Sequence, residues 1–326
     1  SQQSRDRVCK RDHYSPDTKR LRFVWSMMKI LVTGASGFIG SNLVPILKKA
    51  HDVSVLDTRQ VTTQNSEWRE QVDQCDVLIH LAGRAHVSTK NADSSIYKKI
   101  NTDLTTKLAE QLALNNKHMV FISTAVVYGQ NSKPNQSFQI DTTLISDSPY
   151  AASKVAAENA IVKISQQGSL SYTVIRPPLV YGPGVKANFL SMIKWVQAGV
   201  PLPLGSARNL RSLVGVRNLS DLIQVCATNP AAKNQIFNAS DDHDISTTDL
   251  LTKIAISMNK KSRLIRVPLG LLKIGSQVIG KPRAYDGLCG SFQLDLANTK
   301  QRLGWTPPFS LEEEIATTVA WFQDQK

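Results

Sequence analysis

The chain has 326 residues, 41% of them apolar and 20% charged, which is enough to bury a substantial core in one large or two modest domains. Its net charge of +13 invites a nucleic-acid reading, but residues 1–26 carry seven Lys and Arg against Asp6, Asp12 and Asp17, and the remaining charge reads as spread out, so nucleic acid is set aside as the partner. No run reaches the roughly 18 consecutive apolar residues that a membrane span needs.

Residues 1–26 show no periodicity and no apolar stretch of the kind a signal peptide carries. Met27 and Met28 offer start sites, and residues 1–27 are expected to form a disordered extension. From Met28 onward strands and helices alternate. Strands are predicted at 29–33 (KILVT), 53–57 (VSVLD), 77–81 (VLIHL), 119–123 (MVFIS) and 172–176 (YTVIR). Helices are predicted at 37–50, 92–115 and 150–167, the last ended by Gly168. Near-continuous apolar strands alternating with helices imply an α/β fold, a Rossmann-type doubly wound parallel sheet covered on both faces.

After Pro177-Pro178 the texture changes to frequent Pro and Gly with shorter helices near 187–198, 218–228, 246–258 and 310–323. The reading is a Rossmann domain over 28–178 and a smaller C-terminal α/β substrate domain over 179–326. Stretches near 213–216 and 235–238 are expected to return to the main sheet. The apolar run 267–280 is broken by Lys273, Gly275 and Gln277 and reads as an amphipathic surface or lid helix. Cys9, Cys75, Cys226 and Cys289 are scattered, without a CxxC pair or Cys/His cluster. They read as incidental thiols in a reducing compartment, with no metal site.

The loop Thr33-Gly34-Ala35-Ser36-Gly37-Phe38-Ile39-Gly40 lies between a strand and a helix. Gly34 permits a tight turn, Gly37 lets the backbone approach a pyrophosphate, and Gly40 allows close helix–strand packing. The helix start then offers free N–H groups and partial positive charge. Asp57 ends the second strand near the offset expected for binding the adenosine ribose hydroxyls. Its carboxylate repels a 2′-phosphate, which favours NAD over NADP; Arg59, two residues on, offsets part of that preference.

Tyr150 and Lys154 are four residues apart and share a helix face. A free phenol, with a pKa of about 10, is a poor base at neutral pH. A lysine ammonium and a positive nicotinamide ring both favour the phenolate, so they are expected to lower that pKa. Thr124, at the end of the fourth strand, can hydrogen-bond the reacting oxygen. The constellation reads as general acid/base catalysis by Tyr150, tuned by Lys154.

With these motifs in order, the chain resembles the extended short-chain dehydrogenases/reductases of the NAD-dependent epimerase/dehydratase family, which act on nucleotide sugars. TGASGFIG, His80-Leu81-Ala82-Gly83, Asn101, STAVVYG, PYAASK and Arg176-Pro177-Pro178-Leu179-Val180-Tyr181-Gly182-Pro183-Gly184 carry the resemblance over essentially all of 28–326. It implies that Phe38, Ile39, Leu81, Ala82, Gly83, Ser123 and Pro177 line the cofactor, with Lys99 or Asn101 in support. It also implies that Asn188 and Phe189 contact a nucleotide diphosphate, and that Arg211 binds phosphate, a task its forked guanidinium suits. A cytoplasmic homodimer is implied too, built from the helices at about 92–115 and 149–167.

Two absences narrow the reaction. The family's 4,6-dehydratases carry an Asp-Glu pair after the threonine, where this chain has Ala125 and Val126. Neither can move a proton, which argues against dehydration, and the missing Glu argues against UDP-glucuronate decarboxylation. What remains is NAD-dependent 4-epimerisation of a UDP-linked sugar, or NAD(P)H-dependent reduction of a UDP-4-keto-6-deoxy-N-acetylhexosamine. Leu179 stands where typical UDP-glucose 4-epimerases have a substrate-contacting asparagine, which keeps the reductase open. A non-enzymatic dinucleotide sensor is the reading of a different class; such members usually lose the Tyr or Lys that this chain retains.

Overall fold

The computed structural model describes residues 27–61, 66–85, 94–133, 136–280 and 282–325. The extension expected over residues 1–26 lies outside the described residues. Among the described residues there are eight strands: β1 (Lys29–Thr33), β2 (Asp52–Leu56), β3 (Val77–His80), β4 (His118–Ile122), β5 (Ser171–Arg176), β6 (Leu179–Tyr181), β7 (Leu213–Gly215) and β8 (Gln235–Asn238). Six of them form one sheet in the order β2-β1-β3-β4-β5-β8. Every pairing in it is parallel.

β1 shows how the sequence covers both faces. Ile30 and Val32 pack into one core with Leu43 and Leu47 of the helix Phe38–Leu47. Leu31, between them, packs into a second core with Leu104, Leu108 and Leu112 of the helix Leu104–Leu114. Successive side chains along a strand alternate in direction, so a run with no polar residue feeds two cores. The chain leaves β1 for β2 on one side and returns to β3 on the other. The crevice at the carboxyl ends of β1 and β3 is therefore the switch point where open α/β sheets bind ligands.

The two stretches expected to rejoin the sheet have different fates. β8 does join it, beside β5, while β7 pairs with β6 in a separate two-stranded parallel sheet. Pro177 and Pro178 remove two backbone donors directly after β5, so the chain diverges there and the following strand needs another partner. Beyond it, the helices Ala187–Ala198, Thr247–Ser257 and Leu311–Asp324 enclose a third core containing Tyr181, Phe189, Leu251, Ile254 and Ile315. The last of these helices starts with a reciprocal Ser310–Glu313 capping box.

Two helices position the site. Pro149–Gln167 begins at Ser148, whose Oγ accepts from Ala151 N at 3.2 Å, with Pro149 in the first turn. It ends at Gly168 in extended rather than left-handed backbone. The helix predicted over 92–115 is described from Ser94 and contains a π-helical turn, Lys98–Asp103, before Leu104. Such wide turns recur at functional sites. Here it leaves Lys99 exposed and Asn101 fully buried.

Candidate active site

The first part of the site is a cradle with no room for side chains. Gly34 has φ +72, and a Cβ there would lie 2.7 Å from the Ala82 nitrogen. A Cβ on Gly40 would lie 2.4 Å from the Gly34 carbonyl oxygen. Gly37 N donates to Gly34 O at 3.0 Å, closing the turn. Gly37 also caps the helix Phe38–Leu47 without any side-chain acceptor, so the helix start keeps its N–H groups for a ligand. Leu81, Ala82 and Gly83 form the opposite wall, with Leu81 N donating to Thr33 O at 3.2 Å. A Cβ on Gly83 would sit 3.2 Å from both Asn101 Oδ1 and Lys154 Nζ, so the bare backbone keeps the lysine end of the site open. These features fit a dinucleotide. Ile39 turns its side chain into the sheet core, leaving its backbone at the loop. Phe38 packs toward the third core, and Asn42 Nδ2 beside it donates to Pro183 O at 3.0 Å, tying the cradle to the second domain.

Asp57 stands at the end of β2 as expected, held by Arg59 through an ion pair of 2.6 Å. The Arg59 hydrogen bonds hold the Asp57 carboxyl below its ordinary value. A ribose hydroxyl at Asp57 would share that carboxylate with Arg59.

His80 locks the cradle to the π turn. Thr105 Oγ1 donates to Asn101 O at 2.7 Å, so it accepts from His80 Nε2 at 2.9 Å. His80 Nδ1 then accepts from Thr33 Oγ1 at 2.6 Å. Burial, and secondarily Lys154, hold His80 down at about 3, so it is a neutral structural link. Asn101 completes the link: Oδ1 accepts from Arg84 N at 2.8 Å, and Nδ2 donates to Ser153 Oγ at 2.9 Å.

Thr124, Tyr150 and Lys154 come together at the carboxyl end of β4. Thr124 is extended and opens a short 3-10 turn, its Oγ1 accepting from Val126 N at 3.3 Å, and its hydroxyl lies close enough to Tyr150 to act on the phenol. Lys154 is buried and donates from Nζ to Ile122 O at 2.9 Å, with the ammonium 4.5 Å from the centre of the Phe121 ring. Burial lowers Lys154 to about 8, opposed by the Glu158 carboxylate. The expected lowering of Tyr150 is not realised by the chain alone. Burial raises the phenol, and the neighbouring Thr124 hydroxyl opposes the rise without reversing it. The Lys154 ammonium, which donates to the Ile122 carbonyl, does not offset that burial.

Glu158 and Arg176 carry no role that the sequence alone indicates. Ser123 Oγ donates to Glu158 Oε1. Glu158 Oε2 pairs with Arg176 Nη2 at 2.5 Å, and Arg176 Nη1 donates to Tyr128 OH at 2.9 Å. Tyr128 OH passes the chain on to Asn238 Oδ1 at 2.8 Å, in β8. The signal for Glu158 was its place four residues beyond Lys154, one helical turn along the same face. Ser123 thus faces the buried network, and Pro177 holds the turn after Thr124 by accepting from Ala125 N at 2.8 Å.

In the second domain Asn188 is exposed in the first turn of the helix Ala187–Ala198. Phe189 is fully buried and stacks on Tyr181 with ring centres 4.8 Å apart. Its ring serves the third core, so any ligand contact from it comes from its backbone. Arg211 lies between Ile245 and Phe292, with Nη1 donating to Gly290 O at 2.9 Å. No carboxylate pairs with it among the described residues, and burial lowers its pKa. Among the described residues no group of three potential metal ligands occurs. Cys75 and Cys226 are buried free thiols, Cys75 pushed up to about 12 by burial.

A parallel sheet with a glycine cradle at its switch point, and a Thr-Tyr-Lys cluster at the next strand end, defines a Rossmann-type dinucleotide-dependent enzyme. The sequence profile of the NAD dependent epimerase/dehydratase family matches residues 30–240. The chain belongs to that family of NAD-dependent enzymes, within the extended short-chain dehydrogenases/reductases. It is 36% identical to a UDP-glucose 4-epimerase of Vibrio cholerae over 311 residues, spanning 90% of this chain and 95% of that one. It is 26% identical to the N-acetyl-alpha-D-glucosaminyl-diphospho-ditrans,octacis-undecaprenol 4-epimerase of Escherichia coli O157:H7, over 90% and 94% of the two chains. The fold matches a UDP-glucose 4-epimerase structure from Thermotoga maritima with a TM-score of 0.73 at 24% identity, covering 91% of this chain and 99% of that one.

Proposed function

We propose that this protein is a nucleotide-sugar 4-epimerase acting on a UDP-linked hexose or N-acetylhexosamine. One observation carries the reading: Thr124, Tyr150 and Lys154 are assembled beside the cradle, while Ala125 and Val126 supply no second proton-transfer group. NAD, when bound, supplies the hydride acceptor and donor for the sugar C4 position. Gly34, Gly37, Gly40 and the Leu81–Gly83 wall would hold its pyrophosphate side, with Asp57 at the adenosine ribose.

The chain's own residues account for the proton. Tyr150 Oη takes it from the C4 hydroxyl and returns it to the same oxygen after the sugar has turned. Thr124 Oγ1 orients that oxygen. Lys154, fixed by the Ile122 carbonyl, holds positive charge at the nicotinamide end. Because burial raises the Tyr150 phenol in the chain alone, activation of the base depends on charge brought by the bound cofactor. Arg211 and the start of the helix Ala187–Ala198 would hold the diphosphate and leave the hexose free to rotate.

A second reading, reduction of a UDP-4-keto-6-deoxy-N-acetylhexosamine, is favoured by the apolar Leu179 in β6. The two differ in how long the cofactor stays. Denaturing the purified protein without added dinucleotide and assaying the supernatant separates them. Near-stoichiometric NAD supports the epimerase; its absence supports a reductase that exchanges cofactor each turnover. The protein is further expected to work in the cytoplasm as a homodimer through the helices Leu104–Leu114 and Pro149–Gln167; a monomer by light scattering at micromolar concentration contradicts the dimer.

A further inference from the structure

The segment between the third core and Arg211 builds a surface that the proposed chemistry does not use. The helix Leu269–Val278 contains no buried residue. Leu269, Leu272 and Ser276 form its half-buried side. The opposite side carries Leu271, Ile274 and Val278, which are 61%, 59% and 81% exposed, followed by Ile279 at 68%. These positions follow helical spacing, so the apolar side chains form one stripe directed away from the protein. Gly270 and Gly275 add no side chains to obstruct it.

The charge of the chain segment that carries the stripe is concentrated, against the expectation that it would be spread along the chain. Residues 256–290 contain Lys260, Lys261, Arg263, Arg266, Lys273, Lys281 and Arg283, against Asp286 alone. That is a net +6 in 35 residues, out of +13 for the whole chain. Lys260, Lys261, Arg263, Arg266 and Lys273 are all exposed. Both ends of the segment are anchored. Leu202 N donates to Arg263 O at 2.9 Å, and Ile265 N donates to Leu202 O at 2.8 Å. At the far end Gly290 O accepts from Asn209 Nδ2 at 2.8 Å and from Arg211 Nη1 at 2.9 Å.

We infer that the helix Leu269–Val278 is a docking element that lays its Leu271–Ile274–Val278 stripe into the surface of an anionic phospholipid bilayer, with the flanking lysines and arginines on the headgroups. An outward apolar stripe with basic flanks is the composition of helices that lie in the membrane interface plane. Neither half suffices: scattered exposed apolar residues are ordinary, and basic surfaces bind many polyanions. Their coincidence in one anchored segment of the chain specifies a surface that is both apolar and negative. Through Gly290, docking would set Arg211 at a fixed distance from the bilayer. The inference does not depend on which sugar is bound.

The test is co-sedimentation of the full chain with phosphatidylethanolamine/phosphatidylglycerol vesicles and with pure phosphatidylcholine vesicles. Two variants are compared: Leu271→Asp/Ile274→Asp/Val278→Asp, and Arg263→Glu/Arg266→Glu. All five positions are exposed, so both variants are expected to keep the wild-type circular dichroism spectrum. The expected result is at least tenfold greater partition onto the anionic vesicles, release as salt shortens the Debye length from about 10 Å at 0.1 M to about 3 Å at 1 M, and at least tenfold loss in each variant. Absence of partition overturns the inference, as does full binding by the triple variant. So does a triple variant that changes only from dimer to monomer by light scattering, since a second copy would then cover the stripe.

Discussion

Arg176 Nη2 lies 2.5 Å from Glu158 Oε2, and each side chain is only 3% exposed. This ion pair sits directly behind the candidate catalytic strand end, because Ser123 donates to the same carboxylate. Removing one partner of a buried pair leaves the other charged and desolvated, which costs about 3–5 kcal/mol. Glu158→Gln is therefore expected to lose stability in that range by urea denaturation. The double change Glu158→Leu/Arg176→Met is expected to lose less than the sum of its single changes, since no orphaned charge remains. A loss under ~1 kcal/mol for the single variant, the range of exposed pairs, would mean the pair is not the buried support described.

Lys154 links that network to turnover. Burial holds its ammonium down to about 8, with Glu158 opposing the shift. Turnover is expected to fall as pH rises through about 8, where the proton is lost. Stability moves the other way. Between about 8 and the ordinary 10.5 the unfolded chain binds the extra proton, so this group's contribution to stability rises with pH. Parallel measurement of kcat and of the denaturation midpoint from pH 7 to 10 checks both signs. Activity and this stability contribution diverging is the expected result.

Gly40 tests the cradle. A Cβ there would meet backbone on the Gly34–Ala35 side, not a side chain that can swing away. Gly40→Ala is expected to cost about 1–3 kcal/mol through overpacking and to weaken NAD binding by at least tenfold, read by calorimetric titration of cofactor-stripped protein. Gly275→Ala, on an open helix surface, is the control expected to leave NAD binding unchanged and to raise stability by about 0.5–1 kcal/mol.

Acid should act through two buried histidines. Burial holds His80 at about 3 and His118 at about 4, against an ordinary 6.5. Below 6.5 the unfolded chain binds protons that the folded chain refuses. Their contribution to stability is thus full above 6.5 and lost as pH falls toward 4 and 3. A His118→Gln variant is expected to show a shallower decline of Tm between pH 6.5 and 4 than the parent chain.

The sheet was legible because its strands are short, apolar and separated by helical spacing; 29–33 and 77–81 could hardly be anything else. The cradle was legible because glycine is a conformational requirement there, as φ +72 at Gly34 shows. What escaped depends on partners distant in the chain. Nothing near Leu213 indicates that β7 pairs with β6 and not the main sheet. The Glu158–Arg176–Tyr128–Asn238 relay joins residues up to 110 positions apart, and spacing exposed only its link to Lys154. Adjacency on a helix also does not reveal that Lys154 donates a hydrogen bond to the Ile122 carbonyl, or that burial raises the Tyr150 phenol in the chain alone. The core role of the Phe189 ring escaped because the other members of that core are spread from Tyr181 to Val319.

The most direct test of the central claim is to incubate the purified protein with UDP-N-acetylglucosamine, and separately with UDP-glucose, without added dinucleotide, and to follow the sugar C4 configuration by proton NMR. The account predicts inversion at C4 to an equilibrium mixture with at least one of them, and none with Tyr150→Phe, which retains its fold and its NAD. No inversion by the parent chain, together with consumption of NADH or NADPH when a UDP-4-keto-6-deoxy-N-acetylhexosamine is supplied, would contradict the epimerase and establish the reductase.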